Sequence, residues 1–81
     1  MVKVKLWGTL RQFAEGRSEV EVEAKTFKEI LDRLGETYPG LGPQIRRGVS
    51  MSLNGVIYRE AWLQEIDPGA EVVLMPFMQG G

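Results

Sequence analysis

The chain has 81 residues, 26% of them charged, a formal net charge of −1, and neither histidine nor cysteine. That length holds one domain, and a balanced charge without a basic stripe points away from nucleic acid and from anionic membranes. Lacking His and Cys, the chain has no disulfide, thiolate nucleophile, imidazole acid–base group or common zinc site. There is also no Gly-rich phosphate loop. A self-contained catalytic centre is therefore not expected, nor a bound cofactor or metal. No segment is long and apolar enough to span a membrane and no signal peptide is read at the first residues, which predicts a cytoplasmic protein.

Val2-Lys3-Val4-Lys5-Leu6-Trp7 alternates with period two, as a half-buried strand does. Val2, Val4 and Leu6 share one face; Lys3, Lys5 and Trp7 share the other. Residues 18–24 alternate again, with Val20, Val22 and Ala24 set against Glu19, Glu21 and Glu23. Antiparallel pairing of the two would lay the Lys row beside the Glu row, which helps to fix register. Between them, Leu10, Phe13 and Ala14 have the spacing of one helical turn that buries Leu10 and Phe13 and ends at Gly16.

Thr26-Phe27-Lys28-Glu29 matches a capping box, with Thr26 as the cap. Phe27, Ile30, Leu31 and Leu34 follow as a single apolar stripe, predicting the main helix. It ends near Gly35 or runs to Tyr38, because Pro39 disfavours helix in the residue before it. Gly40-Leu41-Gly42-Pro43 reads as loop. Val49, Met51 and Leu53 alternate with Ser50 and Ser52 as a third strand. Asn54-Gly55 predicts a tight hairpin, and Val56-Ile57-Tyr58 returns as a short strand. Trp62, Leu63 and Ile66 are expected to pack in the next connection, which ends at the Asp67-Pro68-Gly69 turn. Residues 71–77 form the last strand, apolar at almost every position and therefore central.

The order strand, strand, helix, strand, short strand, strand predicts an α+β fold: a mixed sheet with one main helix packed on one face, a β-grasp, ubiquitin-like arrangement. The domain is expected to span residues 1–76. Residues 77–81 form a mobile tail, Phe77-Met78-Gln79-Gly80-Gly81. Glycine has no Cβ to collide with a narrow channel, so such a tail can be threaded into another protein's active site. Val73, Met75 and Phe77 share one face of the last strand, and Val72 and Leu74 the other. One set should face the helix. The other would form an apolar patch with Trp7, a mark of an interface, or be covered by the hairpin connection.

A β-grasp order closed by Gly80-Gly81 resembles the ubiquitin-like sulfur carriers of the MoaD/ThiS type, and among them the small subunit of molybdopterin synthase. The resemblance runs through Val2-Lys3-Val4, Phe13-Ala14, the Thr26-led helix, Leu53-Asn54-Gly55, and residues 67–72. One stretch departs: the synthase subunits commonly end in a Pro-Pro-Val-x-Gly-Gly-like run, and here Pro76 is kept while Phe77 and Met78 replace the second proline and the valine.

The resemblance implies a chemistry. An E1-like enzyme adenylates the Gly81 carboxylate with ATP, which that partner consumes. Sulfur from a persulfide donor then displaces AMP, leaving a thiocarboxylate. The sulfur passes to an acceptor on the large synthase subunit or another sulfur-acceptor enzyme. Gly81 carries the reacting carbon and Gly80 gives the tail its flexibility. Phe77, Met75, Met78 and Gln79 are the expected partner contacts. Carriers for cysteine, thiazole or tRNA thiolation share this fold and tail, and a modifier joined through Gly81 to lysine uses the same activation. A non-catalytic β-grasp interaction domain with an incidental Gly-Gly is the remaining alternative.

Overall fold

The structure, a computed structural model, describes residues 1–59 and 61–76. Five strands form one mixed sheet: β1 (Val2–Leu6), β2 (Glu19–Val22), β3 (Val49–Leu53), β4 (Val56–Tyr58) and β5 (Val72–Pro76), in the spatial order β2-β1-β5-β3-β4. β5 lies in the centre, parallel to β1 and antiparallel to β3. A 3-10 helix over Gly8–Ala14, helix α1 (Phe27–Thr37) and helix α2 (Leu41–Arg47) complete the fold. The expected β-grasp sheet and its main helix are present.

The charged register reads as the alternation predicts: Lys3 faces Glu21 and Lys5 faces Glu19 across β1 and β2. The alternate residues Val2, Val4, Leu6, Val20 and Val22 are all buried. Asn54 and Gly55 both take positive φ, 50° and 88°, as a primed hairpin turn requires. The Asn54 side chain also accepts from the Glu71 N–H at 2.9 Å, which ties the hairpin to the entry of β5. Ala70 N–H closes the Asp67 turn at 3.0 Å.

In α1 the whole predicted stripe, Phe27, Ile30, Leu31 and Leu34, is buried. Burying one such side chain stabilises the fold by about 1.5–3 kcal/mol. The Thr26 hydroxyl accepts from Glu29 N–H at 3.2 Å, but Glu29 reaches past Thr26 to the Lys25 N–H, at 2.7 Å. The first helical N–H groups find carbonyls elsewhere: Phe27 N–H donates to Gln64 O at 3.0 Å and Lys28 N–H to Trp62 O at 2.9 Å. Orphan donors at a helix start need such partners, so the segment 62–66 is pinned across the end of α1.

Four expectations are corrected. Gly40 to Pro43 is not loop: α2 begins at Leu41. Glycine and proline there read as chain breakers, yet Pro43 falls in the first turn, where its missing N–H costs no hydrogen bond. Buried Leu41 and half-buried Ile45 supply the packing, and Gly48, at φ 120°, ends the helix. Phe13 is 37% exposed, and Ala14 takes the core place beside Leu10. Phe13 instead covers Gly40, where a Cβ would lie 3.6 Å from its own. Trp62 and Leu63 are exposed and only Ile66 is buried. Backbone capping of α1 decides their placement, and Trp62 stacks one face on Phe27 at 5.5 Å. Finally, β5 starts at Val72 rather than residue 71, and Phe77 lies outside the described residues.

Candidate docking face and tail exit

A sheet covered on one side by helices leaves its other side to solvent or to a partner. The covered side carries the rows Tyr58–Met51–Leu74–Leu6 and Leu53–Val72–Val4–Val20, read across paired strands. Met51, Leu74, Leu6, Val72, Val4 and Val20 are buried. This settles which half of β5 faces the helices: Val72 and Leu74.

The open side carries the intervening row Ile57–Ser52–Val73–Lys5–Glu19. In the next row Met75 pairs with Ser50, and Trp7 follows Leu6 at the end of β1. Val73 and Met75 are half-buried, Ile57 is 55% exposed and Trp7 59% exposed. Ser50 and Ser52 are small, so they do not rise above Val73 and Met75. The result is an apolar strip over the middle of the sheet, flanked on the β2 side by the Lys and Glu rows. Of the patch expected from Val73, Met75, Phe77 and Trp7, the three described residues Val73, Met75 and Trp7 lie on this open side, and Phe77 lies outside the described residues. Ile57 is an addition. Its signal was the Asn54-Gly55 turn, which fixes the register of β4 and hence the side on which Ile57 falls.

The same strand delivers the chain toward its end. Trp7 N–H donates to Leu74 O at 2.9 Å, continuing the β1–β5 ladder past Leu6. Gly8 then turns the chain away with φ 62°, and a Cβ placed on it would lie 3.6 Å from Pro76 Cγ. Positive φ is what requires glycine here. Pro76 is opposite Val49 and is the last residue of β5. A proline has no N–H for a ladder, which suits it to a strand end. Of the candidate site residues, Met75 lies on the open strip. Phe77, Met78, Gln79, Gly80 and Gly81 lie outside the described residues.

Residues 4–81 match the ThiS family model, a span that includes Gly80 and Gly81. The chain belongs to the ThiS family. The expected resemblance to ubiquitin-like sulfur carriers of the MoaD/ThiS type is thereby borne out. Solved structures share the fold. A chain of the Amycolatopsis orientalis BexX/CysO complex is similar with a TM-score of 0.80 at 21% identity, each chain being covered completely at 100%. The small archaeal modifier protein 1 of Methanosarcina acetivorans gives 0.81 at 24%, with 99% of this chain and 95% of that one covered. A Pyrococcus furiosus protein provisionally named molybdopterin converting factor subunit 1 gives 0.77 at 23%, covering 95% and 97%. At these identities the likeness is one of fold. No curated protein matches the chain. Among the described residues of this ThiS-family chain, no helix is long and apolar enough to cross a membrane.

Proposed function

We propose that this chain is a sulfur carrier that works as a cosubstrate of other enzymes, its reacting group being the carboxylate of Gly81. The observation that carries the reading is the family match running through Gly80-Gly81, which follow in sequence the strand that forms the middle of the sheet. An α-carboxylate is ionised at neutral pH and is a poor electrophile. In this reading an E1-like partner joins it to the α-phosphate of ATP, and pyrophosphate leaves. The outer sulfur of a persulfide then attacks the acyl carbon and AMP leaves. A thiol cleaves the resulting sulfur–sulfur bond, and the sulfur that stays on Gly81 forms the thiocarboxylate.

Each part of this chain has a task in that sequence. Gly80 and Gly81 pass where a side chain would collide. Phe77, Met78 and Gln79 give the tail its reach and its contacts. The open strip of Trp7, Val73, Met75 and Ile57 docks the folded body on the activating enzyme, and methionine suits a surface that must fit more than one partner. The sulfur acceptor assigned to the chain is the large subunit of molybdopterin synthase, so the pathway is molybdenum-cofactor biosynthesis. The fold of the Pyrococcus furiosus protein supports that assignment.

A second reading, a modifier conjugated through Gly81 to lysine, is supported by the fold shared with the small archaeal modifier protein. The intact mass of the protein from its own cells, with the C-terminal peptide fragmented, tests both. Sulfur in place of one oxygen on Gly81 supports the carrier. A lysine-linked C-terminal peptide moves the function to protein modification. With the activating enzyme and ATP, Gly81→Val is expected to abolish adenylation while leaving the melting temperature unchanged. Equal activation of variant and wild type overturns the role of Gly81.

A further inference from the structure

The helix side of the molecule, away from the open strip, carries an apolar surface that the proposed sulfur chemistry does not use. Leu63 is 82% exposed and Trp62 45% exposed. They border a groove of about 460 Å³ lined by Leu31, Ile45, Trp62, Leu63, Lys28 and Asp32. Trp62 has a structural reason for its place: its ring covers Phe27 and its carbonyl caps α1. Leu63 has none. It stands between two residues whose carbonyls hold the start of α1, so the backbone is fixed and the side chain is presented to solvent. A large aliphatic group held out by an anchored segment, beside an apolar groove, marks an interaction surface.

The rim chooses among occupants. Lys28 and Asp32 form an ion pair at 2.7 Å, with side chains 61% and 53% exposed. An acidic partner would meet Asp32 and a basic partner Lys28. A surface that brings one charge of each sign matches both, and this chain has such a surface. Around a two-fold axis a knob and an adjacent groove are self-complementary, because each copy supplies both. A net charge of −1 gives two copies little mutual repulsion.

We propose that two copies of this chain associate through the helix side. Leu63 of each enters the groove between Leu31, Ile45 and Trp62 of the other, and Lys28 of each meets Asp32 of the other. The groove has six lining residues, against roughly 20–30 a side in a standard stable interface, so the association is weak, with a dissociation constant of order 100 μM. It leaves the open strip free in both copies.

Sedimentation velocity of the full chain from about 10 μM to about 1 mM, a range that brackets that constant, tests the proposal. The expected result is a concentration-dependent shift from monomer to dimer, weakened at least roughly tenfold by Leu63→Asp. Lys28→Asp alone and Asp32→Lys alone should each weaken the dimer, and the two together should restore it, since the double swap re-pairs opposite charges across the axis. All these positions are exposed, so circular dichroism should show every variant folded. A monomer throughout the range overturns the proposal and leaves the groove to a different occupant. A dimer indifferent to Leu63→Asp overturns it in favour of another face. Mixing the Lys28→Asp and Asp32→Lys chains should also restore the dimer, and since neither chain then has its own pair within α1, that rescue is the result that only a contact between copies at this rim gives. Activation at Gly81 should be the same in Leu63→Asp and wild type, which keeps this question separate from the carrier reading.

Discussion

In β5, Val72 and Leu74 are buried under the helices, while Val73 and Met75, one residue away, remain half-buried on the uncovered side. The four side chains are nearly alike in polarity. Their difference lies in what sits above them. On the closed side α1 contributes Phe27, Ile30 and Leu34, all fully buried. On the open side the neighbours are Ser50, Ser52, Lys5 and the partly exposed Trp7 and Ile57. One face holds the fold together and the other is the face proposed for docking. In that proposal a central strand links stability on one side with recognition on the other.

The largest effect should come from breaking the closed face. Leu74→Ala empties a site between Leu6 and Met51 and should cost about 2–5 kcal/mol in a urea titration. Met75→Glu attacks the open face. It should leave the unfolding free energy within about 1 kcal/mol of wild type, the range of a surface change. It should weaken binding to the activating enzyme by about 2 kcal/mol, roughly 30-fold, by calorimetry. If Met75→Glu destabilises as much as Leu74→Ala, or binds as wild type, the division between the faces fails. The smallest effect belongs to the flank of the open face. Lys5→Glu puts like charges opposite each other at Glu19 and should cost between a few tenths and about 1 kcal/mol, diminishing with added salt.

Much of the architecture was legible because it is written in local spacing. Alternation set β1, β2 and β3, and the stripe from Phe27 to Leu34 set α1. The Asn54-Gly55 turn is a demand of backbone geometry that few residue pairs satisfy. The candidate docking residues Met75 and Trp7 were legible for the same reason, as members of alternating rows. Ile57 was passed over because a strand of three residues gives too short a pattern to assign a face.

The failures share a physical cause. Helix α2 contains Gly42 and Pro43, and local preference is against it; contact with the core at Leu41 and Ile45 overrides that preference. Phe13 lost its expected core place to Ala14 because the turn at Gly40 lies against it. Trp62 and Leu63 looked like core residues by polarity, yet the carbonyls of their segment are committed to the start of α1. In each case the outcome depends on residues distant in sequence.

The sequence by itself determined where strands, the main helix and the hairpin lie, because each is encoded in side-chain period and in the conformational limits of a few residues. It also carried the Gly80-Gly81 ending on which the chemical reading rests. Only the tertiary structure decided which row of β5 is covered, that the second neighbour of β5 is β3, and that an apolar groove with a sign-balanced rim lies on the helix side. Those are properties of elements meeting in space, and burial is settled by the neighbour that arrives rather than by the residue that waits for it.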